Sequence, residues 1–134
     1  MEEEILEKLR QVSEEVSVPL ELPDDDQIIR AEEELLLPIP GDFRRYLLTA
    51  SNVIYGHLEL ATVADPHMHT YLPEMAAVAW SYGLPRYLLP LCETSSGYYC
   101  IDPDGLVFSW DNGELSETYW DSLWEWIRDV WLVA

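Results

Sequence analysis

Basic side chains are scarce in this sequence. Seven Lys and Arg stand against 26 Asp and Glu among 134 residues, a formal net charge of −19 at pH 7. A field of that sign repels phosphate backbones and anionic headgroups, which argues against direct contact with nucleic acid or a membrane surface. It attracts basic proteins and metal cations, although a large charge also serves solubility alone. Cysteine is limited to Cys92 and Cys100, too few for a disulfide framework. A bridge across a hairpin is geometrically open to them, but a reducing cytoplasm keeps both as packed thiols. The six glycines build no phosphate-cradling loop. No apolar run approaches the roughly 18 residues of a membrane span. The opening Met1-Glu2-Glu3-Glu4 is acidic where a secretory leader is basic and then apolar. A cytoplasmic protein is the expectation.

Apolar side chains are plentiful. Hydrophobic residues make up 49% and aromatics 12%, with six Trp and eight Tyr, so the chain has the means to fold and is unlike a disordered segment. Its length fits one domain of the usual size, about 100–200 residues. Ile5, Leu9, Val12 and Val16 share one stripe of a helix over 2–16, with Glu2 to Glu4 favouring its first turn. After Pro19 and Pro23, one of Asp24, Asp25 and Asp26 caps a second helix whose inner face reads Ile28, Ala31, Glu32, Leu35, ended by Pro38. Pro40 suits the first turn of a third helix that buries Phe43, Tyr46, Leu47 and Ala50.

From Tyr55 the pattern becomes strand-like towards Val63, and a helix over 73–82 follows, closed by Gly83. A strand over 87–93, then Tyr98–Ile101 and Leu106–Trp110, joined by Ser- and Gly-rich turns, form a β-meander. Ser122 and Glu125 make a capping box for a last helix. The fold class is therefore α+β: N-terminal helices packed on an antiparallel meander sheet, with a C-terminal helix. Helices are expected on one face of the sheet, leaving the other face or the acidic rim to a partner.

The stretch Ile28, Ala31-Glu32, Leu35, Ile39-Pro40, Asp42-Phe43, Tyr46-Leu47 resembles the signature of the SUKH superfamily. Further matches lie at Leu89-Pro90-Leu91, Tyr99-Cys100-Ile101-Asp102, Gly105, Val107, Trp110 and Ser122-Leu123-Trp124. Ser51-Asn52 stands where the pattern has Asn-Gly, and Tyr98 where it has Asp. The resemblance covers residues 28–130 of a single 1–134 domain, with the N-terminal helix, residues 1–18, outside it as an appendage. It implies either a bacterial immunity protein that binds and blocks a toxin, often a nuclease, or a regulatory scaffold like the family's fungal cell-wall-synthesis regulator.

Each motif residue also has a physical task. Pro40 starts a helix, Phe43 packs it, Gly105 makes a hairpin turn and Trp110 packs the meander. Glu32 lies on an apolar stripe, where a carboxylate must be hydrogen-bonded or paired. Backbone donors near Pro40 and Gly41, or Arg44 and Arg45, are its expected partners.

Other constellations are weaker. Asp65, His67 and His69 alternate in a way that resembles zinc ligands, with His57 further off, but no second cluster completes a shell, so no metal is assigned. Asp102-Pro103-Asp104-Gly105 reads as a turn, because the terminal glutamate of a calcium loop is missing. No nucleophile sits in an activating context, so neither enzymatic activity nor a cofactor is expected.

The expected function is stoichiometric occlusion of a basic toxin domain, with acids imitating the phosphate field that a nuclease attracts. The candidate contacts are Glu59, Asp65, Asp111, Glu114 and Glu117 on turns and sheet edge, and Asp24, Asp25 and Asp26 as a second cluster. Trp124 joins them because it points away from the line of Leu123, Trp126, Ile127, Val130 and Trp131. A homodimer is also compatible with the sequence.

Overall fold

Asp24 fixes where the helical half begins. In the computed structural model, which describes all 134 residues, its side chain accepts from Gln27 N–H at 2.8 Å, and Gln27 returns a bond to the Asp24 N–H. This capping box opens α2 (Asp25–Leu35). Helix α1 spans Glu2–Val12, α3 Gly41–Ala50 and α4 Leu72–Ser81. Strands β1 (Leu89–Glu93), β2 (Gly97–Ile101), β3 (Val107–Asp111) and β4 (Glu114–Leu115) form one antiparallel sheet in that order. Ser122 caps α5 (Leu123–Trp126), which runs into a π-helical turn over Ile127–Trp131. The α+β class read from the sequence is the one observed.

A single large core joins α1, α2, α3 and α5 to one sheet face. Ile5, Leu9, Ile28, Phe43, Tyr46, Leu89, Ile101 and Trp126 all belong to it. Each fully buried side chain of this size contributes about 1.5–3 kcal/mol. A second cluster covers the opposite face, where Ala79, Leu84 and Leu88 pack on Tyr98, Cys100 and Trp110. The face expected to be open is therefore largely closed by the end of α4 and the segment after it. The surface left open lies at the rim and in the groove described below.

Three local expectations are corrected. Helix α1 stops at Val12, because Ser13 Oγ accepts from Ile54 N–H and Glu14 N–H donates to Ile54 O at 2.7 Å, and Val16 is left exposed. Residues 55–63 form no strand: Gly56 turns at φ +63°, and the only sheet-like links are Ala61 N–H to Leu91 O and a bridge between Thr62 and Tyr71. Trp124 is not exposed. It is 5% accessible, since α5 is wedged between α3 and the core, so that Leu123, Trp124, Trp126 and Ile127 all find apolar neighbours.

Pro40 occupies the N-cap of α3 rather than its first turn. The Glu32 carboxylate accepts from Ile39 N–H at 2.7 Å and lies 3.8 Å from the Arg44 guanidinium. Glu32→Ala is expected to lower stability by about 1–3 kcal/mol, read as a shifted urea midpoint, because a partly buried N–H loses its acceptor. An unchanged midpoint would show that this donor is satisfied without Glu32.

Cys92 and Cys100 are free and buried. The register shift between Pro90 and Cys92 places Cys92 in the large core and Cys100 in the small cluster, so a bridge between them is not formed. Burial pushes both thiols up to about 12, from about 8.5 when unfolded. A raised folded value means that the unfolded chain releases protons first. Stability is therefore intact below about pH 8.5 and falls as pH rises towards 12, by up to about 1.4 kcal/mol per pH unit for each thiol. Urea midpoints at pH 7, 9 and 10.5 check this, and a flat profile would contradict it.

Candidate protein-docking groove

Between α4, the β1–β2 turn and the end of the chain lies an open groove of about 1020 Å³. Its first wall, His57 to Glu59, is held by the Trp131 indole N–H, which donates to Tyr55 O at 3.1 Å. The second wall is the loop over 66–70. It is closed by Thr62 N–H to Thr70 O, Leu72 N–H to Thr62 O and a hydroxyl bond between Thr62 and Thr70 at 2.8 Å. Helix α4 contributes Glu74, Met75 and Val78. Its N-terminus is tied to α2 by the Tyr71 hydroxyl donating to Glu34 at 2.7 Å. Thr94 Oγ1 accepts from Ser96 N–H and Gly97 N–H, shaping the turn that presents Glu93.

The electrostatics are one-sided. Glu59, Glu74 and Glu93 line the groove with all three histidines, and no Lys or Arg does. Glu59 pairs with His69 at 2.6 Å, both well exposed. Arg86 is the sole Lys or Arg between Tyr46 and Ile127. It is occupied elsewhere, donating to Leu35 O and lying 3.6 Å above the Trp80 ring. The remaining arginine pairs join Arg10 to Glu7, Arg44 to Asp25, Arg45 to Glu2 and Arg128 to Asp129. Both halves therefore remain acidic, but the stretch between Tyr46 and Ile127 has a single cation, and that one is engaged away from the groove.

The sequence-derived contacts fall into four places. Glu59 lines the groove, and Asp65 adjoins it, its carboxylate accepting the His67 N–H at 2.9 Å. Asp111 and Glu114 face each other across the β3–β4 hairpin, a like-charge pairing that costs stability, with Ser96 donating to Asp111 at 2.7 Å. Glu117 is exposed just beyond that hairpin. Asp24, Asp25 and Asp26 sit at the start of α2, away from the groove lining, where Asp24 serves the cap and Asp25 holds Arg44. Trp124 is internal. Glu74 and Glu93 were missed. The sequence signal that points to them is the long stretch with a single cation.

No group of three or more His, Cys, Asp or Glu side chains is placed to hold a metal ion. No serine, threonine or cysteine is hydrogen-bonded to a histidine. No helix is long and apolar enough to cross a membrane. The groove is an open recess that presents three carboxylates, three imidazoles and no Lys or Arg.

Residues 2–132 match a SUKH family described as SMI1-KNR4 cell-wall, and the chain belongs to that family. It is also similar to a protein from Pseudomonas syringae pv. tomato known from its crystal structure, at 51% identity and a TM-score of 0.94, covering 98% of this chain and 99% of that one. The comparison with curated proteins gives no match.

Proposed function

We propose that this protein is an immunity protein: it binds one basic toxin domain of nuclease-like charge and blocks it by occupying its cleft, without turnover. The observation that carries the reading is the groove lined by Glu59, Glu74 and Glu93 in a half of the molecule whose one arginine is already engaged. An uncompensated field of this kind steers a cationic partner into encounter and penalises acidic ones. The match to a SUKH family is compatible with it. Co-expression is the test. Cells arrested by the cognate toxin domain are expected to grow when this chain is present at equal or higher abundance, and continued arrest contradicts neutralisation.

The description of the matching family, SMI1-KNR4 cell-wall, favours a second reading, a regulatory scaffold that binds endogenous proteins. A scaffold uses the same acidic groove but rescues cells from no toxin.

A further inference from the structure

Next to the groove, and sharing Val78, Glu93, Thr94 and Tyr98 with it, is a slot of about 340 Å³. Its floor follows from strand register. Glu93 pairs with Tyr98 and Tyr98 with Trp110, so the three side chains form a row across β1, β2 and β3 on one face. The Tyr98 and Trp110 rings lie 6.3 Å apart at 30°. The wall is Tyr82, at the C-cap of α4 and 72% exposed, with Val78 one turn earlier at 43%. The Tyr82 ring and Val78 are therefore displayed beside Glu93, a carboxylate that forms no ion pair and no side-chain hydrogen bond within the chain, above Tyr98 and Trp110 rings that are only 4% and 6% exposed. The Tyr98 hydroxyl is held above its ordinary value by burial and then by the neighbouring Glu93 and Tyr82, which places those groups together.

Flat aromatic surface beside an unpaired carboxylate is complementary to a guanidinium, whose faces stack on rings while its edge donates to oxygen. The protein already makes half of this contact internally, with Arg86 on Trp80. We propose that the slot receives an arginine side chain of the basic partner, stacked on the exposed Tyr82 ring and paired with Glu93, over a floor made of the edges of Tyr98 and Trp110. This inference rests on the docking function above and names the anchor by which the partner engages. A hydrocarbon side chain would leave Glu93 unpaired, and a lysine would lose the planar stacking.

The test uses the full chain and needs no toxin. N-acetyl-L-arginine amide, its neutral isostere N-acetyl-L-citrulline amide and N-acetyl-L-leucine amide are titrated while backbone amide resonances are followed. The arginine probe is expected to shift Tyr82, Glu93 and Tyr98 saturably and to bind at least about tenfold more tightly than citrulline. Glu93→Gln and Tyr82→Ala, both at exposed positions, are each expected to weaken it several-fold, and Asp104→Asn at the remote β2–β3 turn to leave it unchanged. Equal binding of citrulline, stronger binding of leucine, or equal losses from Asp104→Asn and Glu93→Gln would overturn the assignment. Because toxin rescue is measured separately, an empty slot in cells that are nevertheless rescued removes only the arginine anchor. A working slot without rescue removes only the immunity reading.

Discussion

Replacing Glu59, Glu74 and Glu93 together by lysine is expected to weaken binding of the basic partner by roughly a hundredfold or more at low salt, with the fold retained. Exposed charge contacts contribute about 0.2–1 kcal/mol each. Reversal turns each attraction into a repulsion, so three changes reach about 3 kcal/mol, and every 1.4 kcal/mol is a factor of ten in Kd. Glu74 and Glu93 form no ion pair within the chain and Glu59 gives up only an exposed contact with His69, so the main stability cost should be about 0.3–1 kcal/mol for placing a cation in the first turn of α4 at residue 74. Most of the loss should appear in the association rate and shrink as salt rises, because screening reaches about 8 Å at physiological ionic strength. Titration calorimetry and stopped-flow association, wild type against variant, read both effects. An unchanged Kd would place the contact surface elsewhere.

Gly97→Ala is expected to cost about 3 kcal/mol or more, at or beyond the usual overpacking range of about 1–3 kcal/mol. A Cβ at residue 97 would stand 1.8 Å from the Trp110 carbonyl oxygen and 2.9 Å from its carbonyl carbon. Those atoms belong to the backbone of β3, which pairs with β2 from Gly97 to Ile101, so neither strand moves aside without breaking the ladder. The same change would displace the turn that Thr94 closes, and with it Glu93 and the slot floor. Gly41→Ala is the control. A Cβ there meets nothing within 4 Å, and the residue opens a helix, where alanine is preferred. Equal urea midpoints for the two variants would contradict this steric account.

The helical half was legible because its signals are local. Asp24 and Gln27 bond within one turn, and Ile28, Ala31 and Leu35 mark a stripe that the structure buries. The meander was legible because its turns carry left-handed residues, as at Gly105 with φ +91° and at Asn112-Gly113. Residues 55–63 misled because Leu58 and Leu60 alternate as in a strand, yet what holds the segment is a carbonyl of β1 and the distant Thr70 and Trp131. Trp124 misled because helical phase identifies one inner face, whereas α5 has neighbours on several sides.

The groove itself was only partly readable. Its walls come from stretches around His57, His69, Met75 and Glu93 that no spacing rule joins. The acidity of the whole was evident from composition. Which acids are left without a cation depends on Arg44, Arg45 and Arg86 being taken by Asp25, Glu2 and Leu35 O, and that is decided by packing.

The most direct test of neutralisation through the groove begins with capture of the binding partner at low salt. The captured domain is then expressed alone, with the wild-type chain, or with the Glu59→Lys, Glu74→Lys, Glu93→Lys variant. The account predicts that the domain alone stops growth, that the wild-type chain restores it and binds one to one, and that the variant, folded and equally abundant, does not. A harmless captured domain, or full rescue by the variant, would contradict it.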